Sequence, residues 1–180
     1  SDWSSDVCSS DLYDISPWNF AGEGVGLCVG LAAIGAAWGI WCCGTAMSGT
    51  AVVSGKIAMR DIMNLILCEV IAIYGLIMAL VLNGRMEVHN VPFEREHYHA
   101  GYALFFGGIV QGACSLSAGL AIGLVGSTIS LVCHRDAEMF FKLLIVQIFS
   151  ELIGIMGLLV CLLMSMRAKF AIVQIGRASC

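Results

Sequence analysis

Glu69-Val-Ile-Ala-Ile-Tyr-Gly-Leu-Ile-Met-Ala-Leu80 and Glu151-Leu-Ile-Gly-Ile-Met-Gly-Leu-Leu-Val-Cys-Leu162 carry one pattern, E-x-I-x-I-x-G-L-x-x-x-L, 82 residues apart. Each copy lies inside a long apolar run. A bilayer-spanning helix takes roughly 20 such residues. A carboxyl at mid-membrane costs roughly 2.5–3.5 kcal/mol on insertion scales, so an acid kept there points to function. Apolar surroundings favour its neutral form, and a nearby cation favours its ionised form. A group that alternates between the two can carry a proton.

Around these copies, four apolar segments run from about Phe20 to Val53, Ile62 to Leu82, Tyr98 to Cys133 and Met139 to Met166. The breaks at Ser54–Asp61, Asn83–His97 and His134–Glu138 hold charges or a proline, as expected outside hydrocarbon. The whole chain of 180 residues is 59% hydrophobic and 12% charged, with a mean hydropathy of +0.89. That excludes an ordinary water-soluble fold, which is nearer ~25% charged, and leaves no stretch for a soluble catalytic domain. The net charge of −4 argues against nucleic acid as a partner. The expected fold is an all-α integral membrane protein with four transmembrane helices. They form two helical hairpins, residues 13–97 and 98–174. Each repeat holds an even number of spans, so the copies insert in the same orientation as parallel repeats. Segments one and three exceed thirty residues and should tilt or project beyond a ~30 Å core. Lysine and arginine nearly tie between the two sides, with loops one and three assigned to the cytoplasm.

Segments one and three are rich in small residues: Gly22, Gly26, Gly30, Gly35 and Gly39 in the first, Gly108, Gly112, Gly119 and Gly123 in the third. Such stripes let helix backbones approach closely where lipid supplies no hydrophobic drive. Packing inside a monomer and crowding at the inside of a ring both fit them.

Glu69 is the main proton-carrying candidate, since it has no basic residue within its own apolar segment. Glu151 is the second. Gln147 lies one turn earlier on the same face and could hydrogen-bond it. Ser150 is adjacent, and Tyr74 follows Glu69 by five residues; these three are candidates to support the carboxyls. His97 and His99 flank Tyr98 in a loop expected to be acidic, beside His89, with no fixed ligand geometry. Seven cysteines (Cys28, Cys42, Cys43, Cys68, Cys114, Cys133 and Cys161) have no CxxC spacing and read as small apolar packers. Trp18 suits an interfacial anchor. No cofactor or metal is expected.

The two tails differ from the rest. Residues 1–12, SDWSSDVCSSDL, and residues 175–180, IGRASC, resemble conceptual translations of sequencing-adapter oligonucleotides. Setting them aside removes Cys8, Cys180, three aspartates and Arg177. The remainder then carries a charge of −2, eight Lys and Arg against ten Asp and Glu.

The helix Cys68-Glu69-Val-Ile-Ala-Ile-Tyr74-Gly-Leu-Ile-Met78 resembles the signature helix of the V-type ATPase proteolipids, nearest their c-double-prime branch. Gly39-Ile-Trp-Cys-Cys-Gly44-Thr-Ala-Met-Ser-Gly49 resembles the family's first helix. Ser117-Ala-Gly-Leu-Ala-Ile-Gly-Leu-Val-Gly126 resembles its third, and Phe141-Lys-Leu-Leu-Ile-Val-Gln147-Ile-Phe the fourth in that branch. Two departures stand out. The branch usually has a glutamate where Gln147 stands and no acid where Glu151 stands. Ser150-Glu151-Leu-Ile-Gly-Ile-Met-Gly157 is more like the family's c branch. The c-double-prime branch's additional N-terminal helix is expected to be missing from this sequence.

The resemblance implies a rotary mechanism. Proteolipids form a ring in the membrane of a vacuole or other acidic compartment, with Gly-rich helices inside and Glu helices outside. The implied partners are other proteolipids, the stationary a subunit with its essential arginine, central-stalk subunits and the bilayer. The implied role is a proton-carrying, non-hydrolytic subunit. Other readings stay open at this point: a sodium-translocating proteolipid, a structural tetraspan protein with a dispensable Glu69, and a small secondary transporter.

Overall fold

A computed structural model describes residues 16–86, 95–136 and 138–168. Among them are four helices: α1 (Pro17–Ser54), α2 (Met59–Asn83), α3 (Arg95–Cys133) and α4 (Met139–Arg167). All four are long and apolar enough to cross a membrane. Residues 1–12 and 175–180, like His89, lie outside the described residues.

The helix ends follow from local chemistry. Pro17 opens α1 at a position where its missing N–H costs nothing. Gly55 ends α1 with φ 67°, and its N–H reaches the Ala51 carbonyl at 2.8 Å. Only glycine takes that left-handed conformation without strain. At the same end, the Arg60 guanidinium donates to the Cys133 carbonyl at 3.1 Å and lies 6.0 Å over the Phe140 ring. One side chain of α2 therefore ties together the end of α3 and the start of α4. Thr50 and Ser130 hydroxyls meet there at 3.4 Å. Loops one and three consequently share one side of the bundle.

The α1–α3 contact is the most extensive. α2 packs against α1 and α3, α4 packs against α3, and α2 and α4 share a narrower seam. The backbones of α1 and α4 do not approach one another among the described residues. The α1–α3 axis is built on glycine. A Cβ on Gly24 would stand 2.6 Å from the Cα of Phe105, and one on Gly35 would stand 2.7 Å from the Cα of Leu116. Cβ atoms on Gly108 and Gly119 would collide with the backbones of Gly24 and Gly35. A Cβ on Gly123 would stand 2.6 Å from the Cα of Gly39, and one on Gly112 would stand 2.9 Å from the Leu31 side chain. Backbones this close gain dispersion and weak Cα–H···O contacts that do not depend on water.

The stripe on α1 differs in part from the expected one. Gly35 and Gly39 lie in the seam, but Gly22, Gly26 and Gly30 have nothing within 4 Å of an added Cβ, and Gly24 takes their place. Helix geometry explains this. At 3.6 residues per turn, residues two apart sit nearly opposite, whereas Gly24 and Gly35, three turns apart, share a face. A run at constant spacing of four drifts off the face that the buried stripe Ala21, Gly24, Cys28, Ala32, Gly35, Gly39 and Cys43 defines.

Candidate functional site

The interior face of α2 is the stripe Asp61, Asn64, Cys68, Ile71, Gly75, Met78 and Leu82. Its 3–4 spacing faces α1 and α3, and Gly75 lets α2 close on Ala32 and the Cys28 carbonyl of α1. Glu69 is one residue off this stripe, about 100° around the helix, and is exposed. It stands ten residues from the start of α2, about 15 Å along the axis and close to its middle. Ile62, Ile66, Ile73, Leu76 and Leu80 are exposed along the same helix. Glu69 is thus a carboxyl amid apolar side chains, and no described residue donates a hydrogen bond to it.

Glu151 sits differently. It stands twelve residues into α4, about 18 Å along the axis, so its depth matches that of Glu69. It is half-buried, however, and its Oε1 is closed off with no hydrogen-bond partner. Tyr74 of α2 turns toward it: the ring Cδ2 lies 3.8 Å from where a Cβ would stand on Gly154, one turn beyond Glu151. Tyr74 therefore belongs to the α2–α4 seam, on the side of Glu151 rather than of Glu69.

The two other expected supports are not in place around Glu151. Gln147 is fully buried, yet neither of its amide atoms has a hydrogen-bond partner, so the anticipated bond to Glu151 is not made. The Ser150 hydroxyl donates to its own helix, to the Val146 carbonyl at 3.3 Å. That is the common outcome for serine within a helix, where the i−4 carbonyl is the nearest acceptor.

Further buried polar groups escaped the sequence reading. Asn64 reaches the Gly126 carbonyl at 3.4 Å, and Gln111 donates to the Ser115 hydroxyl at 2.9 Å. The side-chain oxygen of each amide stays unpartnered. The available signal was their position: Asn64 falls on the buried stripe of α2, and Gln111 and Ser115 are spaced i, i+4 within an apolar run. Among the described residues, no cluster of three or more His, Cys, Asp or Glu side chains could hold a metal.

Comparison with known proteins accounts for this arrangement of two acid-bearing hairpins. The family model of the ATP synthase C subunit matches twice, over residues 24–82 and 105–164, so Glu69 falls within the first match and Glu151 within the second. The chain belongs to the ATP synthase C-subunit family, among the V-type ATPase proteolipids. It is 39% identical over 160 residues to the c'' subunit of the V-type proton ATPase of Saccharomyces cerevisiae, covering 88% of this chain and 75% of that protein. The c''2 subunit of the V-type proton ATPase of Arabidopsis thaliana is 35% identical over 163 residues, 88% and 90% of the two chains. A 16 kDa proteolipid of the V-type proton ATPase of Caenorhabditis briggsae is 29% identical over 131 residues, 73% and 80%. As a proteolipid, this chain is a subunit of a rotary ATPase and performs no catalysis by itself.

Proposed function

We propose that this proteolipid carries protons across the membrane on Glu69, as one member of a rotating ring. The observation that carries the proposal is the position of Glu69 at mid-depth of α2, on a face that the described residues leave uncovered. Apolar surroundings favour the neutral form of a carboxyl, and an approaching fixed cation favours the ionised form. Turning the ring past a stationary arginine of the a subunit would discharge each proton into one half-channel, and the next half-channel would reload the carboxyl. The glycine-built α1–α3 axis suits the inside of such a ring, and the acid-bearing α2 and α4 suit its outside. ATP hydrolysis in a separate sector drives the turning through the central-stalk subunits. The membrane is that of a vacuole or another acidic compartment.

Glu151 has the secondary role, because Tyr74 and the α2–α4 seam cover it. The test is ATP-driven acidification of vesicles carrying Glu69→Gln, Glu151→Gln or both, at equal assembled ATPase content. Glu69→Gln alone is expected to reduce acidification to background, and Glu151→Gln alone to leave most of it. Survival of acidification in Glu69→Gln would contradict the assignment of the carrier. Survival in the double variant would contradict proton carriage by this chain.

A further inference from the structure

The proton-carrying role leaves unused the sulfur pair at the centre of the bundle. Cys43 of α1 is 3% exposed and Cys68 of α2 is fully buried, and their sulfurs stand 3.9 Å apart. No other pair of cysteine sulfurs among the described residues is in such contact. Cys43 also donates to the Gly123 carbonyl of α3 at 3.5 Å. The space for both sulfurs comes from glycines. A Cβ on Gly126 would stand 2.6 Å from the Cys43 sulfur, and one on Gly39 would stand 3.1 Å from the Cys68 sulfur. Facing thiols are thus held where α1, α2 and α3 meet, and Cys68 immediately precedes Glu69.

We propose that Cys43 and Cys68 form an oxidative modification site, closed to an intrachain disulfide by a small neutral peroxide. In the first step one thiol takes an oxygen from hydrogen peroxide; the O–O bond breaks, a sulfenic acid forms and water leaves. In the second, the facing thiol attacks the sulfenic sulfur; the S–S bond forms and its proton leaves with the hydroxyl as a second water. The pair loses two hydrogens and the peroxide is reduced to two waters. Burial makes the first step slower than at the half-exposed Cys42 and Cys114. It also makes the second step fast, because the partner sulfur is already in place and needs to move only about 2 Å to reach bonding distance. Over-oxidation to the sulfinic acid, the fate of a lone exposed thiol, is therefore outrun. The product ties α1 to α2 beside the outward carboxyl.

The experiment uses the assembled ATPase in its native membrane, exposed to graded hydrogen peroxide. Remaining thiols are alkylated under denaturing conditions, and the peptides are mapped by mass spectrometry. The expected result is a Cys43–Cys68 linked peptide, reversed by dithiothreitol, while Cys42 and Cys114 accumulate sulfinic and sulfonic forms. Cys28 and Cys161, buried but without a sulfur partner in contact, should stay reduced. Cys43→Ala should leave Cys68 unlinked. The proposal is overturned if Cys43 and Cys68 are both recovered as alkylated thiols once Cys42 is fully oxidised. Separate sulfinic acids at the two positions, or links to other cysteines, would overturn it equally. The wild-type peptide map decides the matter even if the variant does not assemble.

Discussion

The two hairpins repeat one sequence pattern but give their glutamates different surroundings. Near the middle of the pattern they correspond closely. Gly75 lets α2 close on Ala32 of α1, and Gly157, 82 residues later, lets α4 close on Cys114 of α3. Toward the start of each helix the correspondence fails. α2 buries Asn64, Cys68 and Ile71, whereas Val146 and Ile153, the counterparts of Asn64 and Ile71, are about half exposed in α4. There α4 buries Gln147 and Gly154. The difference arises from neighbours. α2 settles against α1 and α3, while α4 has α3 on one side and α2 on another. α2 thereby covers Glu151, and no described helix covers Glu69. A duplicated motif fixes what a residue is and how deep it lies; which side of it is covered depends on the helix next door.

The largest expected effect comes from removing what both hairpins share. Gly119→Leu places a side chain where the Gly35 backbone runs. Overpacking of a tight contact costs about 1–3 kcal/mol, and more where backbone must move. The variant should fail to accumulate as a stable, trypsin-resistant proteolipid in membranes. Normal accumulation would show that the α1–α3 seam is not what holds the hairpins together.

A smaller effect, of opposite sign, is expected at Gln147, where the hairpins differ most. Its buried amide has no partner. Exchanging an unsatisfied buried polar group for an apolar one of similar size removes a penalty of about 1–3 kcal/mol. Gln147→Leu should therefore raise the thermal midpoint of the detergent-solubilised protein. A lowered midpoint would mean that Gln147 has a partner within the bundle, and that α4 is held by a polar contact which α2 lacks.

The smallest effect is expected on the uncovered face of α1. Gly22→Ala meets nothing within 4 Å and lies in a helix. Alanine is the better helix former by about 1 kcal/mol, so thermal stability should hold or rise slightly. A loss would show that Gly22 faces a close neighbour outside this chain.

The four spans, their breaks and the repeat were legible in the sequence, because apolar length and charge position report directly on a bilayer. The depth of both glutamates was legible for the same reason. The seam glycine Gly24 was not, because a line of glycines at spacing four looks like a face until its drift is followed around the helix. Nor was the fate of Gln147 and Ser150. Their closeness to Glu151 along the chain was visible, but which way α4 turns depends on α2 and α3, which no local pattern encodes. The meeting of Cys43 and Cys68 was likewise invisible, since it depends on how α1 and α2 are set against each other.

Glu69 is the uncovered carboxyl and Glu151 the covered one, and dicyclohexylcarbodiimide distinguishes the two. This apolar reagent adds to a protonated carboxyl in apolar surroundings and rearranges to a stable N-acylurea. Native membranes treated briefly with it, then mapped by mass spectrometry, should carry the adduct on Glu69 with Glu151 unmodified. An adduct on Glu151 with Glu69 left free would show that Glu151, not Glu69, is the uncovered carboxyl.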